Sequence, residues 1–374
     1  MNNSFGVFRT FSLAAALAFL CAGAFAVPRK IQRGQEAWRS LKKAQDALER
    51  NDFGAAVQFA EQGKNIRKQD AQWQTYVLEN TLKKAKIRHA GDSLERVVPV
   101  IEELELFEAA EIVRFYLEKF GAVFFNGSYS RLMRFVSEYA QYPEADYILG
   151  KVYQLEGEYS IALQYMKNAY DYSANLDVPM EKYDLLYDLA QLSLDLGDEE
   201  NYEKFLLVIV SDDPRYKEAG YVSSLLRTVS ADTPSSVEKF FLLYRCENDV
   251  ALRAFIELGM FYMNAGETEK ALKCMSFASV IAVTKIESVL KQRLNGFEYD
   301  SFESLLASCG RYSDIAEWGS KNRVWELFFD FSQAAAKAGK NVFARELLEI
   351  LARSEPEEYW RQCAARALEQ YKSS

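Results

Sequence analysis

The feature that most limits what this chain can fold into is an interval. In PEADYILGKVYQLEGEYSIALQYMKNAYDY, residues 143–172, the small residue Gly150 is followed after twelve positions by Ala162 and after seven more by Ala169. Tyr153, Tyr159 and Tyr165 fill the spaces between. The same ruler fits Gly259, Ala271 and Ala278, with Leu258 and Tyr262 matching Leu149 and Tyr153. It also fits Ala44, Ala56 and Gly63; Ala190, Tyr202 and Ile209; Leu225, Val237 and Tyr244; and Ser332, Ala344 and Leu351. A small residue, a turn and a second small residue at this spacing are what two helices of a hairpin need in order to approach closely, and stacking such hairpins buries a continuous core.

The first markers lie about 35 residues apart, or near two or three times that distance, so divergent hairpins are expected in the gaps. These are 71–105, turning at Ala90-Gly91-Asp92; 107–142, turning at Asn126-Gly127-Ser128; and 296–323, turning at Cys309-Gly310-Arg311. Gly157, Gly197, Gly266 and Gly339 each stand seven residues after a first marker, where a helix must end in a left-handed turn. Asn51 and Asn126 take that place in other copies, and Ser128 and Thr268 read as starts of second helices. Pro143, Pro214 and Pro356 fall between hairpins, Pro234 opens a helix, and Pro99 predicts a kink or a shortened helix. The pattern 359–374 reads as one amphipathic capping helix.

The first 26 residues are a separate matter. Arg9, an apolar run from Phe11 to Leu20 and Ala24-Phe25-Ala26 have the layout of a secretory signal peptide, so the mature chain is expected to begin at Val27 and to be exported to a bacterial periplasm or envelope. Cys21 is preceded by the bulky Phe19 and Leu20, which argues against lipid attachment there. Cys246, Cys274, Cys309 and Cys363 are widely separated and sit in helical apolar patterns, where buried free thiols are expected.

Charge and motif content narrow the chemistry. Residues 27–100 carry 15 Lys/Arg against 9 Asp/Glu, whereas residues 101–200 carry 7 against 20. The basic stretch offers an envelope-membrane contact, but its interleaved acids and the net charge of -9 disfavour nucleic acid. There is no glycine loop for phosphate, no nucleophile elbow and no HExxH, and the single histidine is His89. No cofactor, no metal site and no catalytic residue is expected, and the chain reads as a non-enzyme.

The residues Leu149, Gly150, Tyr153, Ala162, Met166 and Ala169, and again Phe255, Leu258, Gly259, Tyr262, Ala271, Met275 and Ala278, resemble the tetratricopeptide repeat (TPR) pattern. Leu186, Leu189, Ala190, Leu206 and Pro214 follow it more loosely, as do Phe328, Phe331, Ala344, Leu348 and Pro356. The resemblance implies an all-α, right-handed α-solenoid of antiparallel hairpins. Divergent hairpins would occupy 27–142, the best array 143–285, further divergent hairpins 286–358 and the cap 359–374. It further implies a concave groove, lined by first helices, that binds a peptide or protein. The first-helix positions facing that groove are Tyr147, Lys151 and Gln154; Asp184, Tyr187, Asp188 and Gln191; and Arg253, Met260 and Met263. A lysine and asparagine carboxylate clamp, known in one branch of the family, is matched here only by Lys151. The expected function is a scaffold or adaptor. The alternative is a solute-handling accessory that holds a small apolar or peptide ligand among Tyr147, Tyr187, Met260 and Met263 for a transporter.

Overall fold

The structure, a computed structural model, describes Pro28, Lys30 and residues 36–84, 93–231 and 233–373. The signal-like segment, Cys21, His89 and the turn expected at 90–92 lie outside these residues. The chain is all-α: among the described residues there is no strand, and one isolated bridge pairs Ser93 with Ser128. No described helix is long and apolar enough to cross a membrane. The chain divides into two compact units, one up to Pro179 and one from Met180, a division that falls inside the stretch 143–285.

The first unit contains α1 (Ala37–Glu49), α2 (Phe53–Lys84), α3 (Leu94–Glu103), α4 (Phe107–Phe120), α5 (Tyr129–Glu138), α6 (Pro143–Leu155) and α7 (Tyr159–Asp171), then a short 3₁₀ turn, Ser173–Asn175. Two hairpins, α1/α2 and α6/α7, are the ones the ruler describes. At Gly157 the backbone is left-handed, with φ of +83°, and the N–H of Glu158 donates to the Tyr153 carbonyl five residues back. That bond satisfies one of the orphan carbonyls at the helix end, and a Cβ would strain the conformation it needs. The same bond recurs from Asp52 to Ala47, where Asn51 supplies the positive φ.

The small markers are close approaches, as expected. A Cβ on Gly150 would fall 2.6 Å from Met166 Cγ, and one on Gly63 would touch the Tyr142 ring at 3.4 Å. Tyr153 and Tyr165 stack at 5.5 Å, but Tyr159, expected to fill space between layers, is exposed.

The expected hairpin 71–105 is corrected: no helix begins at 71. Helix α2 runs on to Lys84 because nothing from Lys64 to Lys84 is glycine or proline, so the chain has no reason to turn. Its first half packs on α1 and α6 through Ala60 beside Ala44, Ala145 and Leu149. Its second half sends Trp73 and Leu78 into another core, with Val97, Ile112, Tyr116 and Val136. Pro99 lies inside α3, a short helix of ten residues. Both helices of the expected 107–142 hairpin form, and they meet through the Phe120 and Phe135 rings at 4.9 Å, but the link from Gly121 to Ser128 is longer than a single turn; Asn126 has a positive φ and Ser128 caps α5 by accepting from Arg131 N.

The second unit contains α8 (Glu181–Asp195), α9 (Glu199–Ser211), α10 (Pro214–Lys217), α11 (Ala219–Ser230), α12 (Ser236–Leu243), α13 (Leu252–Asn264), α14 (Thr268–Arg293), α15 (Phe302–Cys309), α16 (Ser313–Lys321), α17 (Val324–Lys337), α18 (Asn341–Ser354) and α19 (Glu358–Ser373). Gly197, Gly266 and Gly339 turn three of the hairpins in the same way as Gly157. A Cβ on Gly259 would lie 2.8 Å from Met275 Cε, the counterpart of Gly150 and Met166. Phe255 is buried and stacks on Phe277 at 5.0 Å.

Pro234 does not open a helix. It stands in the turn ahead of Ser236, because Ser235 takes a left-handed φ of +64° that a helix cannot contain. Thr268 is the first residue of α14 and makes no cap; Glu267 holds that position. The hairpin α15/α16 turns at 310–312, one residue later than the expected Cys309-Gly310-Arg311, since Cys309 ends α15; α19 packs on α17 and α18. Cys246, Cys274 and Cys309 are buried free thiols, whereas Cys363 is half-buried.

Candidate functional site

A cleft of about 680 Å³ in the first unit is built on the middle of α2. Arg67, Asp70 and Gln74 follow one another at helical spacing and form its floor. Phe115 and Lys119, one turn apart on α4, form one wall, and Trp38 on α1 another. Tyr139 and Tyr142, in the link between α5 and α6, close the base, and Asp177 comes from the loop after the 3₁₀ turn. A cleft of this size with aromatic walls and a few convergent polar groups is the usual form of a small-ligand or peptide-anchor site.

Arg67 organises the floor. It is buried, at 6% exposure, in a chain where most arginines reach water. Its Nε donates to the Tyr139 carbonyl at 3.0 Å and its Nη2 to the Asn175 carbonyl at 3.2 Å. The guanidinium lies over the Tyr139 ring at 3.6 Å and near the Tyr142 ring at 4.5 Å, which returns part of the hydration it gives up. Nη1 faces Asp177 Oδ2 at 3.9 Å, within ion-pair range but beyond a hydrogen bond. Nη1 therefore has hydrogen-bonding capacity left over at the cleft floor.

Around it the charges are balanced. Lys119 pairs with Asp177 and donates to Tyr139 Oη at 3.1 Å. Burial works to lower the Lys119 pKa, but these partners carry it above the ordinary value. Burial pushes the Asp70 carboxyl up, against the hydrogen bond from Gln74 and the charges of Arg67 and Lys30. Tyr116 donates to Gln74 Oε1 at 2.8 Å and so fixes that amide. Glu144 is buried behind the floor; its Oε1 accepts from Asp177 N at 2.6 Å, its Oε2 has no hydrogen bond, and burial raises its pKa. At the mouth, Trp38 and Phe115 are 53% and 47% exposed, two large apolar faces over a polar floor.

The residues singled out from the repeat pattern sit elsewhere. Tyr147, Lys151 and Gln154 are half-buried on α6 of the first unit. In the second unit Asp184 and Gln191 are exposed on α8, and Asp188 is half-buried. Gln191 donates to Asp195 at 2.8 Å. Tyr187 and Arg253 are brought together: the guanidinium lies 4.6 Å from the ring centre and is paired with Glu257 at 2.6 Å. Tyr187 is buried, donating to the Val250 carbonyl at 2.8 Å and accepting from Ala254 N at 3.0 Å, so its hydroxyl is spent on the start of α13. Arg253 borders a cleft of about 310 Å³ with Trp318, Lys321 and Arg323. Met260 and Met263 are half-buried on α13 and do not line it.

The Arg67 cleft was not singled out from the sequence. The signal that was present is the run of Arg67, Asp70 and Gln74 on one stripe of a helix; its partners lie 72 and 108 residues further on.

Fold and site together define an all-α protein of helical hairpins with an aromatic-walled, arginine-floored cleft in its first unit. No known family model matches the chain. A protein of Treponema pallidum (strain Nichols), described only as an uncharacterized protein, is 30% identical over 369 residues, covering 97% of this chain and 98% of its own length. The chain belongs to the same family as that protein.

Proposed function

We propose that this is a non-enzymatic binding protein of the TPR type, an exported scaffold or adaptor of a bacterial periplasm or envelope whose hairpins continue as a right-handed α-solenoid. The repeated contact of Gly150 with Met166 and Gly259 with Met275 supports the repeat reading, since both fall at the same two positions of the ruler. The observation that carries the binding reading is the buried Arg67, with Nη1 unbonded at the floor of an aromatic-mouthed cleft. A partner would present an apolar side chain to Trp38 and Phe115 and a carbonyl or carboxylate oxygen to Nη1. This shifts the bound surface from Tyr147, Lys151 and the α8 and α13 residues to α2 and α4.

The test is photo-crosslinking in cells from a probe at Glu36, on the cleft rim. A defined protein adduct, lost when Trp38 and Phe115 are both changed to serine, is the expected result. An adduct unaffected by those changes, or none, sinks the reading. The cleft volume also suits a small solute, the second reading; native mass spectrometry of the purified protein would then retain a bound small molecule that the same double variant releases.

A further inference from the structure

A second surface lies between α3 and α4. These helices are joined by a tight turn in which Glu105 takes a φ of +52°, and they leave a slot of about 210 Å³. Its floor is apolar, from Val98 and Ile101 on one side to Ala110, Val113 and Leu117 on the other. At the turn end Leu104 and Phe107 stand 48% and 70% exposed. Exposed side chains of this size, at the turn that joins the two helices of an apolar slot, mark a place built to be covered.

The charge around the slot says by what. Glu102, Arg114 and Glu118 form its mouth, and Arg114 is already paired with Glu102 at 3.5 Å. Residues 94–120 hold seven glutamates against three basic residues. Glu111 of α4 already pairs with a basic side chain, Lys30 at 4.0 Å, on the side of the helix that carries Phe115 and the Arg67 cleft. We propose that the α3–α4 slot docks a basic amphipathic helix of a partner protein. Apolar residues one turn apart would enter the slot and cover Leu104 and Phe107, while lysines or arginines would meet the glutamates. An acidic helix or an anionic lipid surface is repelled by the same rim. The slot uses Ala110, Arg114 and Leu117, a different stripe of α4 from the Phe115 and Lys119 of the Arg67 cleft. The proposal therefore stands whether or not that cleft binds.

The test is fluorescence anisotropy with the full chain and a labelled 18-residue helical peptide of leucine and lysine at amphipathic spacing, against its leucine and glutamate counterpart. The leucine/lysine peptide is expected to bind one to one. Binding should weaken at least tenfold in Leu104→Ser/Phe107→Ser and, separately, in Glu102→Lys/Glu118→Lys, all exposed positions whose folding is checked by circular dichroism. Equal affinity of the parent and both variants overturns the proposal, as does equal binding of the acidic peptide. A dimer in sedimentation velocity that dissociates on Phe107→Ser also overturns it, because the occupant is then a second copy of this chain.

Discussion

Gly150 lies so close to Met166 that a Cβ placed on it would meet Cγ at 2.6 Å and the Ala162 carbonyl oxygen at 3.3 Å. Gly259 stands in the same relation to Met275. Alanine is the better helix former by about 1 kcal/mol, but forcing an extra carbon into a packed interface costs roughly 1–3 kcal/mol. Gly150→Ala should therefore be neutral to destabilising by about 2 kcal/mol in urea unfolding, and a double-mutant cycle with Met166→Ala should show favourable coupling. The contrast is Gly319→Ala, whose Cβ would fall 2.2 Å from the buried Trp325 ring and should cost more than either.

Gly157 is held at a φ of +83° with open space around its Cα, so strain and not crowding decides its replacement. Gly157→Ala should lose about 1–2 kcal/mol, the cost of a left-handed backbone for a residue with a Cβ. Asn51→Gly, at the equivalent turn, should be neutral or slightly stabilising by the same measurement.

Removing the Arg67 side chain would leave the Tyr139 and Asn175 carbonyls and the buried Glu144 without their cation. Arg67→Met should destabilise the chain by about 3–5 kcal/mol, the range for breaking a buried charged network. Arg67→Lys should recover little of this, because an ammonium cannot serve two diverging carbonyls and lie flat on the Tyr139 ring. Urea unfolding followed by circular dichroism measures both.

Glu355 is fully buried and neither of its carboxyl oxygens has a hydrogen bond, so burial holds its pKa well above the ordinary value; Glu357 adds to this and Arg361 opposes it. Burial likewise pushes Asp330 up to about 7. For each group the folded state keeps a proton that the unfolded state releases. Stability is therefore fullest below the unfolded value, near pH 4, and falls as pH rises toward the folded value. Asp330→Asn should flatten the fall between about pH 4 and 7, and Glu355→Gln should raise stability at neutral pH. Thermal unfolding across pH 4 to 8 reads both slopes.

Burial pushes the Cys246, Cys274 and Cys309 thiols up to about 12. The thiolate is the reactive form, so these three should resist a disulfide reagent in the native protein while the half-buried Cys363 reacts. All should react in denaturant, and a fast native reaction at Cys274 would contradict the packing of α14.

Legibility followed the range of the forces involved. The α6/α7 and α13/α14 hairpins, their glycine turns and the contacts of Gly150 and Gly259 were readable because each depends on residues within a few turns of one another. The helix start expected at 71 is absent because the stretch from Lys64 to Lys84, free of glycine and proline, favours one continuous helix over the repeat interval. The repeat pattern places Tyr187 on the groove, but its hydroxyl is consumed by Val250 and Ala254, partners more than sixty residues away.

By itself, then, the sequence determined an all-α chain of hairpins, where several of them turn and which small residues let their helices touch. These are set by backbone conformation and by side-chain volume at fixed helical spacing. Only the tertiary structure decided that α2 joins two cores in its unit and that Arg67 meets Tyr139, Asn175 and Asp177 at the floor of a cleft. A buried charge is stable only where distant backbone carbonyls, rings and carboxylates converge on it, and no local pattern in the chain records that convergence.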